Sequence, residues 1–351
     1  MLQKFILEEP FMLESGIQLP RVEIAFHTFG KLNTAADNVV WICHALTANA
    51  DVTDWWNGMA GKDKCFDPEK DFIVCANVLG SCYGTTGPLS KDEKGSVYYD
   101  RFPNITIRDM VRAHIALRKH LGIEKIEVLT GGSIGSFQAI EWAIMEPDII
   151  QNLIIIAGSA RGTSWTAGFN EAQRMAIRAD KSYSDKTPDG GKEGMKAARA
   201  MALLSYRNYE TYNKTQPIHP EDDYRKLKAI TYQQHQGEKL ARRFDARSYY
   251  ILTQAFDSHH AGRSRGGLRK ALATIQAKTL VIGIDTDILF PREDQETMAK
   301  FIPKAELQWL HSDFGHDGFL LESENLTKII RNFWKKNSIN KSLGNPVSLK
   351  K

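Results

Sequence analysis

The sequence predicts an α/β protein, a mostly parallel sheet flanked by helices and interrupted once by a helical insertion. Three observations carry this expectation. Short runs rich in β-branched residues, bounded by polar turns, alternate with stretches of helical periodicity. One run, residues 126–129, leads through Gly131-Gly132-Ser133-Ile134-Gly135 directly into a helix-like stretch at residues 137–145. The alternation stops at Arg161 and resumes only at Thr279, with no convincing strand run between them.

In chain order, core strands are expected at residues 39–43, 72–76 and 126–129, each short, apolar and turn-bounded. Between the second and third, residues 107–121 place Met110, Val111, His114, Ile115, Leu117 and Arg118 at helical spacing, and Gly122 ends the helix. Pro147 closes the helix after Ser133. Later strands are expected at residues 153–156 and 279–284, with a strand-like run at 307–310. The segment between Arg161 and Ala271 is rich in Arg, Lys, Tyr, Met and Ala and reads as helical. It serves either as a lid over the carboxyl edge of the sheet or as a dimerisation arm, and one segment can do both. The expected organisation is a first core part at residues 1–160, a helical lid insertion at 161–272, a second core part at 273–338 and a flexible, functionless tail at 339–351.

Composition narrows the classes. A chain of 351 residues with 42% hydrophobic and 25% charged content can bury one large core, so disorder is not the default. The balance of 46 basic and 42 acidic residues leaves a dispersed +4, which argues against nucleic acid and leaves room for a small anionic ligand. The start, Met1 to Pro10, carries acids where an export signal would stay apolar, and no run is long enough to span a bilayer. Of the four cysteines, Cys43 and Cys75 fall in buried strands, and Cys65 and Cys82 have no metal-like spacing. Free thiols in a reducing cytoplasm, with no metal, are expected.

The turn at Ser133 carries the chemistry. A serine between strand and helix is pushed out of the sheet edge with its hydroxyl exposed, and the flanking glycines are required because a Cβ would collide in so tight a bend. A serine hydroxyl needs a base to take its proton, and the base needs a carboxylate to fix its tautomer. In this architecture the partners follow in the order acid, then histidine. His316 lies in Phe314-Gly315-His316-Asp317-Gly318, past the run at 307–310. The acid lies in Asp285-Thr286-Asp287-Ile288, past the run at 279–284, and spacing alone leaves Asp285 and Asp287 both open. For the oxyanion formed by attack at a carbonyl, the N–H of Ile134 is one donor. The N–H of Leu46, in His44-Ala45-Leu46-Thr47 after the first core strand, is the second.

From about Glu14 to Trp334 the chain resembles the homoserine O-acetyltransferase family of α/β-hydrolase-fold enzymes. The resemblance rests on Cys43-His44-Ala45-Leu46-Thr47, the block from Asn77 to Pro88, Thr106-Ile107-Arg108-Asp109-Met110-Val111, the serine turn with Gln138-Ala139, Phe169-Asn170-Glu171-Ala172-Gln173-Arg174, Asp287-Ile288-Leu289-Phe290-Pro291 and Gly315-His316-Asp317. It implies Asp287 as the acid and supports Leu46 in the oxyanion hole. It further implies that Arg207, in the Tyr206-Arg207 pair, grips a substrate carboxylate and that Asp317 takes the substrate amine. Arg263 and Arg265 are further candidates, for a coenzyme A phosphate. The implied activity is acetyl transfer from acetyl-CoA, as co-substrate, to L-homoserine through an acyl-serine, in methionine biosynthesis, by a cytoplasmic homodimer without bound cofactor. The chain departs from the family pattern in Ser136, where glycine is usual, in Ile134, where methionine is usual, and in an abbreviated stretch around residues 179–183. These departures leave succinyl-CoA as donor and serine as acceptor open. An esterase or thioesterase with the same triad is the rival reading, and a binding protein without catalysis is a third.

Overall fold

The computed structural model describes residues 1–337, so the tail expected at residues 339–351 lies outside the described residues. The first elements are β1 (Gln3–Leu7), β2 (Phe11–Met12), β3 (Gln18–Leu19), β4 (Val22–Phe29), β5 (Val39–Cys43), α1 (Val52–Trp55) and β6 (Phe72–Ala76). They are followed by α2 (Ile107–His120), β7 (Ile126–Gly132), α3 (Ile134–Met145) and β8 (Ile150–Ile156). Helices α4 (Ser164–Ala179), α5 (Lys192–Tyr206), α6 (Tyr209–Thr215), α7 (Lys228–Ala241), α8 (Ala246–Asp257) and α9 (Leu268–Leu272) then come without a strand between them. The chain closes with β9 (Lys278–Ile284), α10 (Arg292–Phe301), β10 (Ala305–Leu310), α11 (Gly318–Leu321) and α12 (Ser323–Lys336).

Eight strands form one sheet in the order β1-β4-β6-β5-β7-β8-β9-β10, and β2 pairs with β3 apart from it. From β6 to β10 every pairing is parallel, which is the predicted sheet. The sequence reading did not anticipate the antiparallel pairs β1–β4 and β4–β6. Their segments mix charged and aromatic residues: β1 is an edge strand with a partly exposed face, and β4, inside the sheet between β1 and β6, interrupts its apolar run with Glu23, His27 and Thr28.

Side chains alternate across the pleat into two cores. Val39, Trp41 and Cys43 join one apolar cluster with α2, α3 and α10, while Val40 and Ile42 join the other with Trp56, Phe319 and the inner face of α12. Helix α2 is started by Thr106, whose hydroxyl accepts from Asp109 N–H while the Asp109 carboxylate accepts from Thr106 N–H. Parallel register places Cys43 beside Gly131, Gly132 beside Ile156, and Leu310 beside Ile284. The loops after β5, β7, β9 and β10 therefore all leave the same edge, where α/β sheets hold their ligands. No helix of the described residues is long and apolar enough to cross a membrane.

Candidate active site

Ser133 stands between β7 and α3 with φ 58° and ψ −129°, a backbone state that a side-chain-bearing residue rarely adopts. The glycines around it are demanded by close approach. A Cβ on Gly135 would lie 2.2 Å from the Cys43 carbonyl oxygen, and one on Gly131 would lie 2.4 Å from the Gly135 carbonyl carbon. The helix thus begins at Ile134, earlier than its periodicity suggests, because Gly135 and Ser136 read as turn residues while forming its first turn.

The loops after β9 and β10 are sewn together by their own polar side chains. The Asp285 carboxylate accepts from Ser312 N–H at 3.1 Å and faces His311 Nδ1 at 2.7 Å. Thr286 Oγ1 donates to the Ser312 carbonyl at 2.5 Å and accepts from Gly315 N–H at 3.1 Å. This stitching brings Asp287 to His316, with Asp287 Oδ2 accepting from His316 Nδ1–H at 2.7 Å. Asp287 Oδ1 accepts from Leu289 and Phe290 N–H at 2.8 and 3.1 Å, so the carboxylate is fixed from both sides. Of the two acids the sequence left open, geometry places Asp287 on the imidazole and Asp285 in the loop tie.

His316 is buried and boxed by the rings of Tyr206, Phe290 and Phe319, at centroid distances of 5.5, 5.3 and 5.5 Å. Burial alone would push its pKa down. The Asp287 charge and hydrogen bond, with Asp317 behind them, outweigh that and hold it above 6.5. With Nδ1–H committed to Asp287, the free lone pair belongs to Nε2.

Ser133 and His316 line one cavity of about 70 Å³ together with Leu46, Arg199, Tyr206 and Asp317. The loop that carries Leu46 is held by His44. Val78 N–H donates to His44 Nε2 at 3.1 Å, which leaves Nδ1–H to donate to the Ala45 carbonyl at 2.8 Å. Burial lowers the His44 pKa to about 4, so the ring stays neutral in this tautomer. Asn77 accepts from Ala50 N–H and donates to the Tyr83 carbonyl, both at 2.9 Å, so the block from Asn77 is the buttress of the Leu46 loop. Ile134 N–H opens α3 and therefore has no carbonyl of its own helix to meet.

The helices between β8 and β9 roof this cavity through α5. Gly315, at φ 61°, lies so close to the end of α5 that a Cβ would come within 2.9 Å of the Tyr206 and Asn208 backbone. Arg207, which the resemblance implies for a substrate carboxylate, is engaged by side chains of the protein itself. Its guanidinium pairs with Asp317, donates to Tyr232 Oη at 2.9 Å, and lines a neighbouring cavity of about 230 Å³ with Tyr212 and Phe314. The cation in the Ser133 cavity is Arg199, stacked over the Tyr206 ring at 5.6 Å. Among the described residues no carboxylate lies within ion-pair distance of it. Arg199 carries no local motif, and its only sequence signal is a position two helical turns before Tyr206, on the same face of α5.

Arg263 and Arg265, the candidates for a coenzyme A phosphate, are each engaged by a carboxylate. Arg263 pairs with Glu14 at 2.9 Å and Arg265 with Glu141 at 2.6 Å, so both charges are already neutralised in ties between the surface loop and the core. Among the described residues no group of three or more His, Cys, Asp or Glu side chains is placed to hold a metal ion, and no two cysteines are joined by a disulfide.

Known proteins agree with this architecture. A family model described as alpha/beta hydrolase fold matches residues 38–323. A homoserine O-acetyltransferase of Cyclobacterium marinum is 46% identical over 337 residues, covering 95% of each chain. Among solved structures, a homoserine O-acetyltransferase from Staphylococcus aureus is 27% identical with a TM-score of 0.79, covering 97% of this chain and 96% of that one. Esterase E22 is 25% identical with a TM-score of 0.85, covering 95% of this chain and 100% of that one. The chain belongs to the homoserine O-acetyltransferase family of the α/β-hydrolase fold.

Proposed function

We propose that the protein moves an acetyl group from acetyl-CoA to the side-chain hydroxyl of L-homoserine through an acetyl ester on Ser133. The observation that carries this reading is the cavity in which Ser133 and the Asp287-bound His316 lie under one unpaired cation, Arg199, and one carboxylate, Asp317. His316 Nε2 takes the Ser133 proton as Oγ bonds to the thioester carbonyl carbon. The C–S bond then breaks, and coenzyme A leaves with the proton from His316. The homoserine hydroxyl next gives its proton to His316 and attacks the ester, and Ser133 Oγ departs and recovers the proton. The amides of Leu46 and Ile134 receive the oxyanion of each tetrahedral intermediate. No metal or prosthetic group enters the scheme.

The acceptor is a zwitterion with a hydroxyl arm, and the cavity offers a matching pair of charges. In this reading Arg199 forks onto the carboxylate and Asp317 takes the ammonium, while Arg207 holds Asp317 in place. Replacement of Arg199 by Met is expected to raise KM for homoserine about 10- to 100-fold, the value of charge-assisted bonds to one carboxylate. Acylation of Ser133 by acetyl-CoA should keep its rate, as followed by release of free coenzyme A in a single turnover. The product belongs to methionine synthesis in a cytoplasmic setting. A homodimer through the helices between β8 and β9 belongs to the same reading, and exposed Trp165, Leu204 and Tyr209 on α4, α5 and α6 support it.

The test is mass spectrometry of the protein after exposure to acetyl-CoA or succinyl-CoA, followed by homoserine or serine. An acetyl adduct on Ser133 that homoserine discharges as O-acetyl-homoserine is the expected result. Coenzyme A release at one rate with and without acceptor would replace this reading by hydrolysis, the activity named for the esterase neighbour. A succinyl adduct, or discharge by serine alone, would change the donor or acceptor.

A further inference from the structure

The peptide between Ser133 and Ile134 presents the N–H assigned above to the oxyanion, and a buried hydroxyl grips its other end. Ser136 Oγ donates to the Ser133 carbonyl at 2.6 Å, and Ser136 N–H donates to the same oxygen at 2.9 Å. The Ser136 side chain is fully buried. Its hydroxymethyl group sits in a socket left by Gly158, where a Cβ would fall 1.7 Å from Ser136 Oγ and 2.5 Å from its Cβ. The Gly158 carbonyl accepts from Gln295 Nε2 at 2.7 Å, which fixes the wall of the socket.

We propose that Ser136 is a positioning residue for the reaction, acting on the oxyanion through the Ser133–Ile134 peptide. A peptide unit is planar, so fixing its carbonyl oxygen fixes the direction of its N–H. A hydrogen bond accepted by the carbonyl also polarises the unit and strengthens its N–H as a donor, by about 10–30% per bond. The lock matters at this peptide because Ser133 holds φ 58°, from which a free chain would relax and turn the amide away. The hydroxyl is matched to the space that Gly158 leaves by lacking a Cβ.

The inference rests on the acyl-serine reading, and three variants test it. Ser136→Ala is expected to slow acylation of Ser133 by acetyl-CoA about 3- to 10-fold, with KM for homoserine unchanged. Its affinity for a trifluoromethyl ketone, which forms a tetrahedral oxyanion on the serine, should fall by the same factor. Gly158→Ala, which expels an intact hydroxyl from the socket, should slow acylation at least as much. The double variant Ser136→Gly with Gly158→Ala refills the space with one methyl group and should remain slow. Recovery of the wild-type rate in the double variant would make Ser136 a packing residue and overturn the proposal. Wild-type acylation and ketone affinity in Ser136→Ala would overturn it as well. If the wild-type protein itself forms no acyl-Ser133, the lock falls together with the reading it rests on.

Discussion

Replacement of Ser133 by alanine is expected to lower kcat about a millionfold while leaving the fold intact. The size follows from the chemistry. Without Oγ there is no covalent ester, and His316 and Asp287 have nothing to activate, so the remaining groups only bind and polarise. The fold should survive because the sharp turn is held by Ser133 N–H on the Ile156 carbonyl at 3.1 Å and by the close packing of Gly131 and Gly135, none of which uses the hydroxyl. Alanine inherits the strained φ of 58° and glycine does not. Ser133→Gly should therefore be equally inactive but more stable than Ser133→Ala by about 1 kcal/mol, within the range for one residue released from a sparsely populated backbone state. Single-turnover coenzyme A release measures the first effect and urea unfolding of the two variants the second. Turnover persisting in Ser133→Ala would remove the acyl-enzyme from the mechanism.

Asp287→Asn is expected to cost about 10⁴ in kcat. The asparagine oxygen can still accept from Leu289 and Phe290, so the loop keeps its shape. Its amide, turned to His316, donates to Nδ1 and leaves the proton on Nε2, the wrong tautomer for a base. The pH dependence follows from what sets the imidazole. Burial disfavours its charge, and the Asp287 carboxylate reverses the outcome and holds the pKa above 6.5. With the carboxylate gone, burial prevails and the acid limb of the rate profile should move to lower pH. Stability changes with a definite sign. A histidine whose pKa is raised on folding contributes stability in full below its unfolded pKa, and that contribution is lost as pH rises through the folded value. The stability gap between wild type and Asp287→Asn should thus be widest near about pH 5 and narrower near about pH 9. Urea unfolding at both pH values reads it, and a gap that widened with pH would contradict the assigned charge of the pair.

The sheet and the serine turn were legible because both are written in local pattern. The buried strands β5 to β9 are short β-branched runs, and the turn needs glycines at fixed places. His316 was legible as a loop histidine after a strand, and Asp287 became distinct from Asp285 only through the family resemblance. The structure shows the physical difference between them, since Asp285 is spent on Ser312 N–H and His311 while Asp287 faces the imidazole. Contacts between distant segments were not legible. Nothing near Arg207 announces that Asp317 will neutralise it, and nothing near Arg263 announces Glu14. Arg199 was missed because a lone arginine inside an amphipathic helix has the same pattern whether it meets water or substrate. The amino-terminal strands were missed because antiparallel strands with a partly exposed face carry polar residues, here Gln3, Lys4, Glu23 and Thr28, that blur their period.

The contact of Gly315 with the end of α5 has a consequence for grafting. In the proposed mechanism, the loop of the general base His316 and the α5 roof over the acceptor are joined at backbone distance, with no flexible side chain between them to absorb a mismatch. Transplanting residues 161–272 from a relative with another acceptor would carry over the new ceiling but seat it on a foreign histidine loop, displacing the imidazole itself. A chimera that is to exchange acceptors and still turn over has to bring residues 314–317 with the helices, as one inherited unit.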